Sequence, residues 1–348
     1  MAAVRPGRAR FGDTQGSGVV ESVDVLTQPL GAGWWALVGD FEGRVRAWRF
    51  DRVEPAAPDE GTWRGPLPTA WTTSLDRAGY LSAVETVRER IRAGDVYQAN
   101  LCRVLAAPCE RPDAGALGRL LAAGNPAPYA GLVDIPPQGG DEGAWLVTAS
   151  PELFLEVRRR RVSSGPIKGT ATAAAGLGEK DRAENVMITD LVRNDLQRVC
   201  RPGTVRVTSL LAVEHHPGLV HLVSTVTGRL LDEVAEGPDL WPRLLEATYP
   251  PGSVSGAPKS SALRIIGELE PVPRGPYCGL VGWARVGRSG AVVARLAVGI
   301  RTFWWAQGQL RFGTGAGITW GSDPGAEWDE TELKARRLVA LASGGLRP

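Results

Sequence analysis

The sequence predicts a globular protein that combines amphipathic helices with antiparallel β-strands, and three stretches support this. Apolar residues recur every three or four positions in residues 180–200, which is the period of an amphipathic helix. Residues 280–317 alternate apolar runs with short glycine-containing turns, which indicates an antiparallel meander. Residues 34–50 hold two further apolar runs around Gly39, Asp40 and Gly43, the pattern of a β-hairpin.

Composition limits the classes of function. The chain has 348 residues, 43% of them hydrophobic, so it can bury a large core as one large domain or two ordinary ones. Forty basic and 38 acidic residues give a net charge of +2, which argues against nucleic-acid binding. No apolar run is long enough to span a membrane, so we expect a cytoplasmic protein. Its four cysteines show no metal-ligand spacing and are expected to be reduced thiols.

The remaining elements follow from local patterns. The Pro- and Gly-rich residues 51–75 predict a connecting loop, and Gly94 is expected to end a helix that begins near Tyr80. The arginines at 158–161 stand between two apolar runs, which favours a solvated hairpin turn over a polyanion site. His215 and His216 are expected in a loop. Another helix is predicted at 117–123, and strands are predicted at 145–148, 153–157, 204–207 and 221–230.

The predicted helix at 180–200 carries two acidic residues on its charged face. Asp181 and Glu184 stand one turn apart near the helix start, where the helix dipole favours negative charge. Charges at this spacing are ordinarily a solvated helix face, so this pair alone is weak evidence for a site.

A second segment, SDPGAEWDETELKARRL at 322–338, repeats the arrangement. Ser322 or Asp323 can cap this helix and Pro324 can begin it. Its charged face carries Glu327, Glu330 and Lys334. Two helices that each offer an acidic pair can jointly hold a hard divalent cation through carboxylate oxygens, and Mg2+ is the ion we expect.

Several blocks of the chain resemble the chorismate-binding enzymes, a family that includes anthranilate synthase component I, isochorismate and salicylate synthases, and aminodeoxychorismate synthase component I. The blocks are YQANL at 97–101, SPELFL at 150–155, PIKGT at 166–170, KDRAENVMITDLVRNDL at 180–196, HLVSTVTG at 221–228, PGSVSGAPK at 251–259, RGPYCG at 274–279, GIRT at 299–302, and the glycines and acidic residues of 315–334. They stand in the family's order from about residue 75 to the end.

This resemblance implies an α+β fold, a large α/β/β/α sandwich of two antiparallel sheets flanked by helices, with a central cleft. Residues 76–348 would form the chorismate-binding catalytic domain, and residues 1–75 an N-terminal hairpin and linker of the same globule. The resemblance also implies that Glu184 and Glu330 bind Mg2+ directly, with Asp181 and Glu327 as an outer pair. A cation is physically reasonable there, because chorismate is a dicarboxylate that these acids would otherwise repel.

The resemblance assigns further residues to the substrate. Arg301 matches the family's arginine fork for a carboxylate, a role that suits a planar guanidinium. Tyr277 falls near the enolpyruvyl side chain, with a core tyrosine as an equal alternative. The remaining implied contacts are Lys334, the backbone amides of Gly315, Ala316 and Gly317, and the side chains of Thr170 and Gln98.

Four positions bear on the reaction. Glu152 matches the general acid that protonates the departing C4 hydroxyl, a role that suits a buried carboxyl. Gln98 replaces the lysine that activates water in isochorismate and salicylate synthases. Lys168 stands where anthranilate synthases usually have alanine, and a lysine there marks the aminodeoxychorismate branch, where it acts as a nucleophile. His221 resembles the histidine near the C4 leaving group, with a structural histidine as the alternative.

The nitrogen source is expected to be a separate protein. The chain lacks a glycine-framed nucleophilic cysteine with a distant histidine, so we expect a glutamine amidotransferase partner to supply ammonia. The hypothesis is therefore an aminodeoxychorismate synthase component I that serves 4-aminobenzoate and folate synthesis. Two alternatives are anthranilate synthase component I and a non-catalytic scaffold that binds chorismate or a partner.

Overall fold

A computed structural model describes residues 4–171, 173–216 and 219–344, without the side chains at 170, 171, 216 and 219. The described residues form seven α-helices, namely α1 (Arg77–Arg92), α2 (Ala114–Gly124), α3 (Glu179–Gln197), α4 (Asp232–Ala235), α5 (Leu240–Thr248), α6 (Lys259–Leu269) and α7 (Pro324–Ala342). They also form eighteen strands, namely β1 (Arg5–Phe11), β2 (Thr14–Asp24), β3 (Gly33–Gly39), β4 (Val45–Pro55), β5 (Thr72–Thr73), β6 (Gln98–Pro108), β7 (Tyr129–Ile135), β8 (Ala144–Ser150), β9 (Leu153–Arg158), β10 (Arg161–Gly165), β11 (Ile167–Ala171), β12 (Arg206–His216), β13 (Leu219–Arg229), β14 (Gly256–Ala257), β15 (Leu280–Val286), β16 (Val292–Val298), β17 (Thr302–Ala306) and β18 (Gln309–Ile318).

The strands pair in one antiparallel path. Neighbours follow the order β6, β18, β17, β8, β7, β1, β2, β4, β3, β15, β16, β9, β10, β13, β12. β11 also pairs with β13, and the short strands β5 and β14 both pair with β6. Strands β1 and β2 therefore join the half that begins at β6 to the half that ends at β12.

Alternating side chains show that the sheet is covered on both faces. On β8, Trp145 and Val147 point to a core that includes α2 and α7, whereas Leu146 between them joins the core shared with β3, β9 and β16. Phe303 and Trp304 on β17 divide in the same way. This period of two is what a strand buried on both faces requires. The predicted α+β sandwich is confirmed.

The N-terminal part of the chain belongs to the sheet. The predicted hairpin is present as β3 and β4, and β1 and β2 precede it. β1 pairs with β7, and β3 pairs with β15 along its whole length. The domain boundary that we placed at residue 75 stays a prediction.

The two acidic helices form where the sequence predicted them. In α3 the Asp181 carboxylate accepts a hydrogen bond from the Gly178 N–H (2.9 Å), and in α7 the Asp323 side chain accepts one from the Ala326 N–H (2.8 Å). Both carboxylates satisfy amides that a helix start leaves unpaired. The loop predicted around His215 and His216 is wrong, because β12 continues to His216. None of the helices in the described ranges is long and apolar enough to cross a membrane.

A buried arginine joins β6, the segment before β14 and the end of α6. Arg274 is 1% exposed and donates to both carboxylate oxygens of Glu270 at 2.7 and 2.6 Å. It also donates to the carbonyl oxygens of Asn100 (2.6 Å) and Val254 (2.8 Å). Replacing the guanidinium with an apolar group removes all four of these hydrogen bonds.

We predict that Arg274→Met lowers the free energy of unfolding by about 3–5 kcal/mol, because it leaves the Glu270 carboxylate buried without its cation. Urea unfolding followed by circular dichroism measures this change. Arg264→Met on α6 is the matched control. Arg264 and Glu268 form an exposed ion pair at 3.3 Å, which contributes less than about 1 kcal/mol to stability. Equal effects of the two substitutions would contradict the prediction.

Candidate active site

Helix α3 is fastened to β13 by a buried asparagine. Asn185 is fully buried, and its amide donates to the Leu222 carbonyl at 2.9 Å. The Ser224 hydroxyl donates to the Asn185 side-chain oxygen, and the Thr189 hydroxyl donates to the Asn185 carbonyl at 2.7 Å. A buried amide whose donor and acceptor are both used defines one orientation of the helix. This contact directs the neighbouring Glu184 toward the strands next to β13.

Strand β11 lies so close to α3 that only glycine fits at one position. Gly169 has φ of +78°, and a Cβ on it would lie 2.8 Å from the Cβ of Asp181. An L-residue would therefore meet both backbone strain and a collision there. The close approach places Lys168, the preceding residue, beside Glu184, with 3.9 Å between Nζ and Oε2.

Three predicted residues from three different strands meet at Lys168. A Cβ on Gly317 would lie 2.3 Å from the Gln98 Nε2 atom and 3.5 Å from the Lys168 Nζ atom. Gln98 is 2% exposed, and its Oε1 atom has no hydrogen-bond partner among the described residues. Burial lowers the pKa of Lys168 and Lys334 lowers it further, whereas Glu184, Glu152 and Glu330 act in the opposite direction. The amine is thus held closer to its neutral form than a surface lysine.

Helix α7 brings the second acidic pair to the same place. Lys334 contacts Glu330 at 2.6 Å and donates to the Gly315 carbonyl at 3.0 Å, which joins α7 to β18. Burial alone would raise the pKa of Glu330, but the nearby lysines, Lys334 foremost, lower it below its usual value. In this structure Lys334 therefore serves as the counter-ion of Glu330.

Lys180 links the two acidic helices. Its ammonium lies 3.9 Å from the Glu184 carboxylate on α3 and 3.5 Å from the Glu327 carboxylate on α7. Burial opposes the charge of Lys180, but the two carboxylates outweigh it and raise its pKa. Glu184 and Glu327 thus lie on either side of one cation.

The carboxylates suit a hard cation. Burial raises the pKa of Glu184, and the nearby charges of Glu330 and Asp181 raise it further against the lysines. Glu327 is 3% exposed, and its Oε2 atom has no hydrogen-bond partner in the described part of the chain. Crowded carboxylate oxygens with one left unsatisfied fit Mg2+. Within the described residues, however, no three His, Cys, Asp or Glu residues already stand at metal-binding spacing. Lys180 lies between the carboxylates of Glu184 and Glu327.

Glu152 has the environment of a buried acid. It is 4% exposed, and burial raises its pKa to about 7, against the opposing effects of Ser253, Lys168 and the Ile167 N–H. A carboxyl with a pKa near neutrality can both give and take a proton under physiological conditions.

Arg301 adopts an unusual backbone conformation at the start of β17. Its φ is +50°, a strained value for a residue other than glycine. Its carbonyl accepts a hydrogen bond from the Ala149 N–H at 3.0 Å, which fixes the backbone. Burial lowers the pKa of its guanidinium, which stays charged at neutral pH. The carboxylate-binding role of Arg301 stays a prediction.

Glycines at alternate positions clear one face of β18. A Cβ on Gly313 would lie 2.0 Å from the Tyr277 ring, and one on Gly315 would lie 2.5 Å from the Cys102 sulfur. Tyr277 is 5% exposed and belongs to the hydrophobic core, and burial raises the pKa of its hydroxyl. Beyond Phe312 the strand pairs with β6 alone, so its other edge has no strand partner among the described residues. Amides on that edge, in the Gly315–Ala316–Gly317 stretch, stay our predicted carboxylate contacts.

His221 and Thr170 lie opposite each other on β13 and β11. His221 is 2% exposed, and Glu214 is its neighbour on β12. The structure therefore places the histidine inside the sheet, next to the strand that carries Lys168. The side chain of Thr170 lies outside the described residues, so its predicted substrate contact is not tested.

Two residues that shape this site, Lys180 and Asn185, were not predicted from the sequence. Lys180 stands four residues before Glu184, and that spacing alone is a signal for a helical ion pair. Asn185 carries no such signal, since only the packed structure shows that its amide is buried against β13.

Comparison with known proteins places these residues in a family context. A family model described as chorismate binding enzyme matches residues 41–340. Anthranilate synthase component 1 of Streptomyces coelicolor is 40% identical over 318 residues, which cover 85% of this chain and 59% of the relative. Aminodeoxychorismate synthase component 1 of Klebsiella aerogenes is 35% identical over 326 residues, which cover 88% of this chain and 68% of the relative. The solved anthranilate synthase component I of Streptococcus pneumoniae superposes with a TM-score of 0.76 at 24% identity, covering 97% of this chain and 94% of that one.

We predict that Glu184→Gln or Glu330→Gln weakens Mg2+ binding by more than about tenfold, because each removes a carboxylate charge from the crowded cluster. Isothermal titration calorimetry with MgCl2 measures the affinity. Asp329→Asn is the control, since Asp329 lies on the exposed face of α7 beside Glu330. If both cluster variants bind Mg2+ with wild-type affinity, these carboxylates are not its ligands and the prediction is wrong.

Proposed function

The chain belongs to the chorismate binding enzymes, and from that premise we propose that it converts chorismate and ammonia to 4-amino-4-deoxychorismate. The proposal names it an aminodeoxychorismate synthase component I that serves 4-aminobenzoate and folate synthesis. The observation that carries it is the place of Lys168. This amine is buried beside Glu184, its pKa is lowered, and its Nζ lies close to Gln98 and Gly317.

Lys168 and Glu152 supply the first half of the reaction. The neutral amine of Lys168 adds to C2 of chorismate, the ring double bond shifts, and the C4–O bond breaks. The Glu152 carboxyl gives its proton to the departing hydroxyl, which leaves as water. The influence of each residue on the pKa of the other supports their working on one ring.

Ammonia completes the reaction by adding to C4. The C2–N bond to Lys168 then breaks, and the electron pair returns to the lysine amine. Gln98 stands where an activating lysine would direct water to the ring, and an amide cannot act as that base. The buried Gln98 thus favours ammonia over water as the nucleophile.

The acidic helices and the cationic residues would hold the substrate. Glu184 and Glu330 would bind Mg2+, with Asp181 and Glu327 beside them, and the ion would neutralise one chorismate carboxylate among them. Arg301 and the amides of β18 would receive the other carboxylate.

Ammonia would come from a glutamine amidotransferase subunit. The thiols of Cys102, Cys200 and Cys278 are buried, and the half-buried Cys109 has a pKa raised by burial, so none suits a glutaminase nucleophile. The relatives' description as component 1 also supports a second component.

Anthranilate synthase component I is the second candidate. The Streptomyces coelicolor relative of that name has the higher identity of the two, at 40%. Lys168 opposes this candidate, because a lysine amine that adds at C2 occupies the carbon to which ammonia must add to form anthranilate.

We predict that the protein with chorismate, MgCl2 and ammonium forms 4-amino-4-deoxychorismate, and that Lys168→Ala lowers kcat by more than about a hundredfold because the nucleophile is lost. Liquid chromatography with mass spectrometry identifies the product, and glutamine is expected to replace ammonium only with the partner subunit present.

Lys168→Arg is the matched control for the preceding experiment, since it keeps the charge but cannot supply a neutral amine. It should be as inactive as Lys168→Ala. Anthranilate fluorescence from the wild-type protein, or full activity in either variant, would contradict the proposed reaction.

We predict that the rate falls as pH rises through about 7, the pKa to which burial raises Glu152, because only the protonated carboxyl can serve the leaving hydroxyl. Glu152→Gln should lower kcat by about 10² to 10⁴ and remove this limb of the pH profile. A wild-type pH profile in Glu152→Gln would show that another group is the acid.

A further inference from the structure

A small cavity of about 20 Å³ lies next to Glu152. Its polar lining comes from Glu152, Ser164, Asp195, Thr248 and Ser253, and apolar side chains complete it. A volume of this size holds a single water, which needs two to four polar partners. One water-sized space is therefore lined by both Glu152 and Asp195.

Asp195 in this cavity is paired with Lys259. The Lys259 ammonium lies 2.8 Å from the Asp195 Oδ2 atom and donates to the Thr248 carbonyl at 3.1 Å. The side chains of Lys259 and Asp195 are 18% and 11% exposed, whereas Glu152 is 4% exposed. The pair thus reaches solvent on one side and the cavity on the other.

The choice of lysine at 259 is informative. Only four of the forty basic residues of the chain are lysines, and the other three are Lys168, Lys180 and Lys334 of the candidate active site. Arginine supplies the positive charge everywhere else. An amine can give up its proton, whereas a guanidinium does not. A position that needed only a charge for Asp195 could have carried arginine like the rest.

The proposed reaction, on which this inference rests, consumes one proton per turnover. Glu152 gives a proton to the departing hydroxyl, and ammonia becomes an amine at C4 that is protonated near neutral pH. Lys168 ends as the neutral amine with which it began. The Glu152 carboxylate must therefore receive one proton from solvent before the next turnover, although it is buried.

We propose that Lys259 and Asp195 return this proton to Glu152 through the Ser253 hydroxyl and a water in the cavity. Lys259 passes a proton to Asp195, Asp195 to the water, the water to the Ser253 hydroxyl, and Ser253 passes its own proton to the Glu152 carboxylate. Solvent then restores the proton of Lys259. Asp195 is a positioning residue in this scheme, since it acts on the substrate only through Glu152.

The charged neighbours are compatible with such an exchange. Burial raises the pKa of Asp195 against the opposing charges of Lys259 on α6 and Arg198 at the end of α3. Burial likewise raises the pKa of Glu152, against Ser253, Lys168 and the Ile167 N–H. Both carboxyls therefore accept a proton more readily than exposed ones.

The test uses Asp195→Asn, which keeps the side-chain shape but cannot carry the proton. We expect kcat to fall by about tenfold and its solvent deuterium isotope effect to rise above about 2, because reloading becomes rate-limiting. The kcat/KM for chorismate should change by less than about twofold, since a loaded enzyme still completes the first step. Asp190→Asn is the matched control, with Asp190 on the same helix and its side chain 66% exposed.

Ser253→Ala guards against misfolding of Asp195→Asn, since it removes one relay group and leaves the ion pair intact. It should lower kcat by a smaller factor and raise the same isotope effect. Wild-type kcat and isotope effect in the folded Asp195→Asn protein would overturn the relay. Equal losses in kcat and kcat/KM without a change in isotope effect would also overturn it, because they indicate a structural role.

A failure of the relay can be distinguished from a failure of the proposed function. Product identification with the wild-type protein tests the function alone. If chorismate is not turned over, infrared spectroscopy follows deuterium exchange of the Glu152 carboxyl, whose band is assigned by its loss in Glu152→Gln. Exchange at least about tenfold slower in Asp195→Asn supports the relay as a property of the fold, and an unchanged exchange rate overturns it.

Discussion

The buried amide of Asn185 holds α3 against β13, and the positions of the reactive groups depend on this contact. It uses both ends of the amide, so the helix can neither rotate nor slide without breaking hydrogen bonds in the interior. The orientation it imposes turns Glu184 toward Lys168 and brings Asp181 against Gly169. Asp195, almost three turns further along, faces the cavity behind Glu152 as a result of the same orientation. One uncharged side chain thereby organises charges along the whole helix.

Charge balance explains why two similar carboxylates behave differently. Glu330 has Lys334 at 2.6 Å, and its pKa is lowered although burial acts against this. Glu184 has its lysines only at 3.9 Å, and burial raises its pKa. Coulomb energy falls with distance, so the more distant lysines compensate less for the lost hydration. The site thus contains one carboxylate that is already neutralised by a partner and one that is not.

The sequence predicted the parts of this protein that local rules govern. The acidic helices α3 and α7, the cap at Asp323 and the β3–β4 hairpin follow from periodicity and capping. The path that joins β1 to β7 and β3 to β15 does not, because contacts between distant strands leave no periodic signal. Family motifs assigned Lys168, Gln98 and Gly317 to the active site, and in the structure these three residues lie next to one another. The depth of Tyr277 in the core and the bridging position of Lys180 required the packed side chains.

The glycines of β18 restrict which positions of the site can be substituted. A Cβ on Gly313, Gly315 or Gly317 would lie only 2.0, 2.5 or 2.3 Å from Tyr277, Cys102 or Gln98, so no larger residue is accommodated without moving these side chains. This strand is therefore closed to gradual adaptation by enlargement of its side chains. A change of reaction therefore requires substitutions at the residues that surround the strand, such as Lys168 on β11 and Gln98 on β6. To redirect the reaction by engineering, Gly313, Gly315 and Gly317 should be kept and the side chains around them should be substituted.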